Sequence, residues 1–149
     1  MLDALNVAKY VIHEFHERED LITNLKLQKL LYYIQGWYLG ICKKPLFQEN
    51  FEAWIHGPVI PEVYHTYKAY RWNPISEEIS KIEFDLDVEK HIITILDIYG
   101  VETGWALERM THLEQPWILA RGGLLPTEEC KEIIAQDSMM TFFEKLATA

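Results

Sequence analysis

Cysteine is nearly missing from this chain, and a whole group of architectures goes with it. Cys42 and Cys130 are the only two in 149 residues, and no CxxC pattern is present. A disulfide framework and a cysteine zinc site are both excluded. The two thiols read as reduced and structural, as in a cytoplasmic protein. Positive charge is also scarce: 14 Lys and Arg stand against 23 Asp and Glu, for a net charge of −9. Nucleic-acid binders usually present a basic face. A nucleic-acid partner is therefore not expected, and a basic partner or an acidity that keeps the surface soluble fits better. No apolar run approaches the ~18 residues of a membrane span. The N-terminal MLDALNVAKYVIHEF carries charges too early and too often for a signal peptide. The prediction is a soluble, cytoplasmic protein with no membrane partner.

Enzyme signatures are absent too. There is no dinucleotide-binding or phosphate-loop glycine pattern, no serine-hydrolase elbow and no HExxH. Among six histidines, His13 with His16, and His112 with Glu114, come nearest to metal-ligand spacing. Neither pair has a third ligand at a recognisable interval. No catalytic residue, metal or cofactor is expected, and His13, His16 and His91 are accounted for as surface histidines on helices.

What the chain does have is apolar periodicity. Leu25 to Ile41 reads LKLQKLLYYIQGWYLGI. At about 100° per residue, Leu27, Leu30, Leu31, Ile34, Trp37, Tyr38 and Ile41 share one broad face. Leu25, Tyr32 and Leu39 form a second strip. A helix apolar on more than one side is buried among other elements. This stretch, about residues 24–42 with Thr23 as its N-cap, is predicted to be the central helix. Gly36 and Gly40, one turn apart, each cost roughly 1 kcal/mol against Ala there. A second backbone crossing closely at that point would compensate. Lys29 lies off the main apolar face and is either a solvated cation or part of a buried polar network.

The other elements follow in order. Asp3–His16 reads as a first helix. Phe51–Ile55 alternates as a weak strand, predicted to pair with Ile82–Phe84. Gly57-Pro58 is turn chemistry. Pro61 opens a helix to about Arg71, and 72–81 is loop. A helix capped by Asp85 or Asp87 runs to Tyr99, with Gly100 ending it. Thr103–Leu113 is a shorter helix, Glu114–Trp117 breaks the pattern, and Arg121–Gly123 is loop. Thr127–Ala135 reads as a short helical turn. Asp137 or Ser138 then caps a last helix whose Met139, Met140, Phe142 and Phe143 read as core. No repeat, low-complexity run or long linker divides the chain. The fold class is mainly α: a single compact domain over 1–149, with at most a small hairpin.

Two turns combine an aromatic, an imidazole and a proline: Trp54-Ile-His56-Gly57-Pro58 and His112-Leu-Glu-Gln-Pro116-Trp117. Each is read in two ways. The histidines either bond loop backbone and hold their turns or supply a polar point in a binding cleft. The indoles either pack on the core edge or anchor a partner. No nucleophile or paired carboxylate accompanies either histidine, so acid–base chemistry is not indicated.

Taken together, Asn24-Leu25-Lys26-Leu27-Gln28-Lys29-Leu30-Leu31-Tyr32, Pro45-Leu46-Phe47, Glu52-Ala53-Trp54 with Gly57-Pro58-Val59, and Thr111-His112 with Pro116-Trp117 resemble the Panacea domain of the SocA-like or phage-associated GepA-like antitoxins. The resemblance runs from about residue 1 to the Phe142-Phe143 helix. It implies a mostly helical domain that acts by binding protein. The implied partner is a cognate toxin, neutralised by direct contact, with presentation to a protease complex as a further role in some members. Many members add a toxin-specific segment at one end, and this chain is expected to carry almost none. Lys43 replaces a glycine common in the family's turn before Pro45, so a modified turn is expected. The alternatives are a phage- or prophage-derived interaction protein without antitoxin activity, a transcription regulator, and an uncharacterised enzyme.

Overall fold

The computed structural model describes residues 1–149. Two helices, α1 (Ala4–Glu17) and α2 (Asn24–Cys42), precede a two-stranded hairpin, β1 (Glu52–Trp54) and β2 (Gly57–Val59). Then follow α3 (Pro61–Tyr67) with a 3₁₀ turn at Lys68–Tyr70, α4 (Leu86–Tyr99), α5 (Gly104–His112), α6 (Gln115–Arg121) and α7 (Gln136–Thr148). The architecture is mainly helical, as the periodicities predict, and α2 is its axis.

The burial of α2 is continuous: every residue from Leu27 to Gly36 is buried. Thr23 caps its first turn, with Oγ1 accepting from the Lys26 amide at 3.2 Å. Helix α7 crosses the Gly36/Gly40 face. A Cβ on Gly36 would fall 2.1 Å from the Phe143 ring, and one on Gly40 would fall 2.8 Å from the Phe143 main-chain carbon. The two glycines are therefore present for closeness, and the ring they admit packs against Tyr32, Tyr33 and Trp37. Ile41 departs from the expected face. It lies 60% exposed near the helix end.

The turn after α2 keeps the left-handed conformation that glycine favours: Lys43 has φ 61° and ψ 25°. Its ammonium donates to the Gly40 carbonyl at 2.6 Å and to Glu144 of α7, which offsets the backbone strain.

Four expectations need correction. Ile82–Phe84 is not a strand, and β1 pairs instead with β2 in the register Ala53↔Pro58. The Gly57 turn folds the chain back after a two-residue loop, so the nearer segment takes the ladder. The outer edge of β1 is met by residues 132–134: Ala53 N–H donates to Glu132 O and Ile134 N–H donates to Phe51 O, at 2.9 and 2.8 Å. Thr127–Ala135 is for that reason extended at its end rather than helical. Glu114–Trp117 does not break the chain; Pro116 sits in the first turn of α6, where its missing N–H is no loss. Finally, α7 starts at Gln136 with no side-chain cap from Asp137 or Ser138.

The histidines outside the two turns tie elements together. His13 and His16 donate to the Ile79 and Ile75 carbonyls at 2.8 and 2.9 Å, pinning the long loop onto α1. His91 of α4 donates to Ile34 O of α2 at 2.8 Å. All three are partly buried rather than free on the surface. No helix is long and apolar enough to cross a membrane.

Close packing on the glycine face sets the sign of a substitution. Gly36→Leu and Gly40→Ala would each gain helix propensity if the face were open. Here they overpack against Phe143, and thermal denaturation should show a lower Tm, with a loss of about 1–3 kcal/mol. A raised Tm would mean that α7 does not sit on α2.

Candidate functional site

The two turns singled out in the sequence meet over the N-terminal half of α2. The hairpin region has few strands to satisfy its backbone, and α2 does so with side chains. Gln35 accepts from Leu46 N–H at 2.8 Å and donates to Phe47 O at 2.7 Å. Gln28 accepts from Ile60 N–H at 2.9 Å and donates to Asn24 at 2.9 Å, and Asn24 donates to Tyr64 O at 3.0 Å. Lys29 Nζ donates to Pro58 O at 3.1 Å. Buried main-chain groups need such partners, which explains why an apolar helix carries Asn24, Gln28 and Gln35 on one side and Lys29 on another.

Lys29 is fully buried beneath the Gly57 turn. Gly57 has φ +103°, and a Cβ there would lie 2.7 Å from Lys29 Cε and 2.8 Å from Thr111 Oγ1. Conformation and space both require glycine. Burial pushes the Lys29 ammonium down to about 7, against the pull of the Glu108 carboxylate on α5. Glu108 also reaches His56 Nδ1, at 3.2 Å.

The second turn locks onto the first from the other side. Trp117 Nε1 donates to Trp54 O at 2.8 Å. His112 stacks on the Trp117 indole, with ring centroids 4.1 Å apart and planes at 16°. Arg121 also lies over that indole and donates to Ala53 O at 2.9 Å, to Leu125 O at 2.8 Å and to Glu128 O. Burial holds the His112 imidazole below its usual value. Its Nε2 is buried without a hydrogen-bond partner, as is Arg121 Nε.

A third cluster stands behind this joint. Tyr33 donates to Glu114 at 2.9 Å and stacks on Tyr99 at 4.0 Å, and Trp37 Nε1 donates to the Tyr99 hydroxyl at 2.9 Å. Burial pushes the Glu114 carboxyl up to about 7, opposed by the Tyr33 donor.

The structure thus brings Trp54, His56, Gly57, Pro58, His112, Pro116 and Trp117 into one assembly. Gly57, Pro58, Pro116 and Trp117 are buried, His112 and Trp54 are half-buried, and His56 is exposed. Trp54 and His56 lead into a groove of about 710 Å³ that also meets Tyr64, Lys68, Arg71 and Trp72. The last four carried no motif in the sequence. Trp72, 76% exposed, stands outside every apolar period, and that isolation is the one signal that could have found it.

A family model described as "Antitoxin SocA-like, Panacea domain" matches residues 27–118, from within α2 to α6. Among curated proteins, "Antitoxin SocA" of Caulobacter vibrioides (strain NA1000 / CB15N) is 41% identical over 68 residues. That alignment covers 46% of this chain and 36% of the relative, less than half of either. No solved structure matches.

The two displaced titrations shape stability in opposite directions. Folded Lys29 binds fewer protons than unfolded between about 7 and its ordinary 10.5, so its contribution makes stability rise with pH there. Folded Glu114 binds more protons than unfolded between its ordinary 4.5 and about 7, so its contribution makes stability fall with pH there. Chemical denaturation across pH should show Lys29→Met flattening the upper limb and Glu114→Gln the lower. Unchanged slopes would mean that neither group is buried as described.

Proposed function

The chain belongs to the SocA-like Panacea-domain antitoxin family, and from that premise we propose that it is a protein-binding antitoxin that neutralises a cognate toxin by direct contact, with the domain extending over 1–149. The observation that carries the reading is the coincidence of the family match with the joined turns. Residues 27–118 take in Lys29, the whole hairpin, α3, α5 and Trp117. The perturbed titratable groups Lys29, His112 and Glu114 are engaged in packing, which supports binding over catalysis.

The contact surface we assign is the open side of the joint. Trp54 and His56 face the partner. Gly57, Pro58, His112, Pro116 and Trp117 hold them in place from behind. A surface fixed before the partner arrives loses little entropy on binding. Trp54 has an indole edge against Tyr64, with centroids 5.0 Å apart, and its Nε1 donates to Glu52 at 2.8 Å. It is a rigid aromatic of the kind that dominates protein interfaces.

Co-expression with the product of each adjacent open reading frame tests the proposal. One such product should arrest growth alone and be rescued by this chain. Trp54→Ala should stay folded by circular dichroism yet lose at least about 2 kcal/mol of toxin binding, roughly 30-fold in Kd. Toxin abundance measured in the same cells separates masking, which leaves it unchanged, from delivery to a protease complex, which lowers it. The absence of any toxic neighbour would contradict the antitoxin reading, and unchanged binding by Trp54→Ala would contradict this surface.

A further inference from the structure

The groove beside Trp54 has a charge opposite to that of the molecule. A second depression of about 340 Å³ continues it past Trp54 and Tyr64 toward Lys131. Together the two are lined by the exposed Lys68, Arg71 and Lys131, with buried Lys29 at the floor, and Glu129 is the one carboxylate among their lining residues. The whole chain has 23 Asp and Glu against 14 Lys and Arg. Three exposed cations of the 14 but one of the 23 acids line this site, so the enrichment is not a reflection of composition. His56 and His65 add two further imidazoles. Two carboxylates outside the lining, Glu108 and Glu52, are bonded to His56 and to the Trp54 indole.

Two further features mark the same place. Arg71 adopts φ 57° and ψ −118°, a region open to glycine and strained for any other residue. Trp72 follows it with its indole largely in solvent, its ring edge toward His56 with centroids 6.4 Å apart. Cations and half-buried or exposed aromatics are thus interleaved along one groove.

We propose that this groove binds an acidic segment of the protein partner, with carboxylates meeting Lys68, Arg71 and Lys131 and a large apolar or aromatic side chain seated among Trp54, Tyr64 and Trp72. The inference rests on the protein-binding reading and specifies the chemistry of the occupant. The dimensions suit a few residues of extended chain. A nucleic-acid strand presents similar charge but continues past the groove on both sides, where it would run over a surface of the same sign as itself. An acidic peptide carries its charge only locally and avoids that repulsion.

Panning the purified chain against random short peptides displayed on phage tests this. Enriched sequences should combine Asp or Glu with an aromatic or large aliphatic residue. A synthetic copy of the best should bind more weakly as salt rises. Lys68→Glu/Arg71→Glu, at two exposed positions, should stay folded by circular dichroism and lose at least about tenfold in affinity for that peptide. No enrichment, neutral or basic enrichment, or a peptide indifferent to the double variant would overturn the proposal. So would a single-stranded oligothymidylate that binds these residues more tightly than the peptide. If the variant still rescues cells from a toxin as well as the parent does, the groove is not the toxin's seat, although the antitoxin reading stands. If no neighbour is toxic while acidic peptides are selected, the antitoxin reading fails and the groove stands.

Discussion

The segment from Leu46 to Ile60 must have its backbone hydrogen bonds met without a sheet large enough to meet them, and the rest of the structure depends on how α2 resolves this. Two three-residue strands satisfy part of the ladder. The amides of Leu46 and Ile60 and the carbonyls of Phe47 and Pro58 are met by Gln35, Gln28 and Lys29, all buried on one helix. Each such group, left unmatched in the interior, would cost about 1–3 kcal/mol. The same side chains would be penalised if the segment moved away, because they too would be stranded. Helix and hairpin are therefore required by one another.

From that mutual requirement comes a fixed platform. The Gly57 turn rests on Lys29 and Thr111, the Trp54 carbonyl is held by Trp117, and the Ala53 carbonyl is held by Arg121. Further along α2, α7 presses Phe143 into its glycine face. What stays open is the edge where Trp54 and His56 meet the 3₁₀ turn. A rigid base with an open aromatic edge matches what protein recognition needs, since binding then orders little that was mobile.

Much of this was legible before the structure. The two apolar strips of Leu25–Ile41, the Thr23 cap and the glycine pair are short-range patterns, and the physics they report is local. The close crossing inferred from Gly36 and Gly40 is filled by Phe143, a residue read only as core. The pairing of Phe51–Ile55 with Ile82–Phe84 was misjudged because strand partners are chosen by turn geometry, and a two-residue loop outcompetes a distant segment. Helix α6 escapes the sequence pattern because a proline that commonly breaks helices here sits in the first turn of one. In the site, turn chemistry and aromatics pointed to Trp54, His56 and Trp117. Lys68, Arg71 and Trp72 were not visible, because only the folding of α3 and its 3₁₀ turn brings them beside Trp54.

The platform depends on α2 side chains holding the backbone between Leu46 and Ile60. Native-state amide hydrogen exchange measures this at two sites, the Leu46 and Ile60 amides, whose acceptors are glutamine side chains. If the account is right, both exchange as slowly as the amides in the middle of α2, opening only when the whole domain unfolds. If they exchange as fast as solvent-exposed loop amides while α2 remains protected, the segment from Leu46 to Ile60 is not held by α2 and there is no fixed platform.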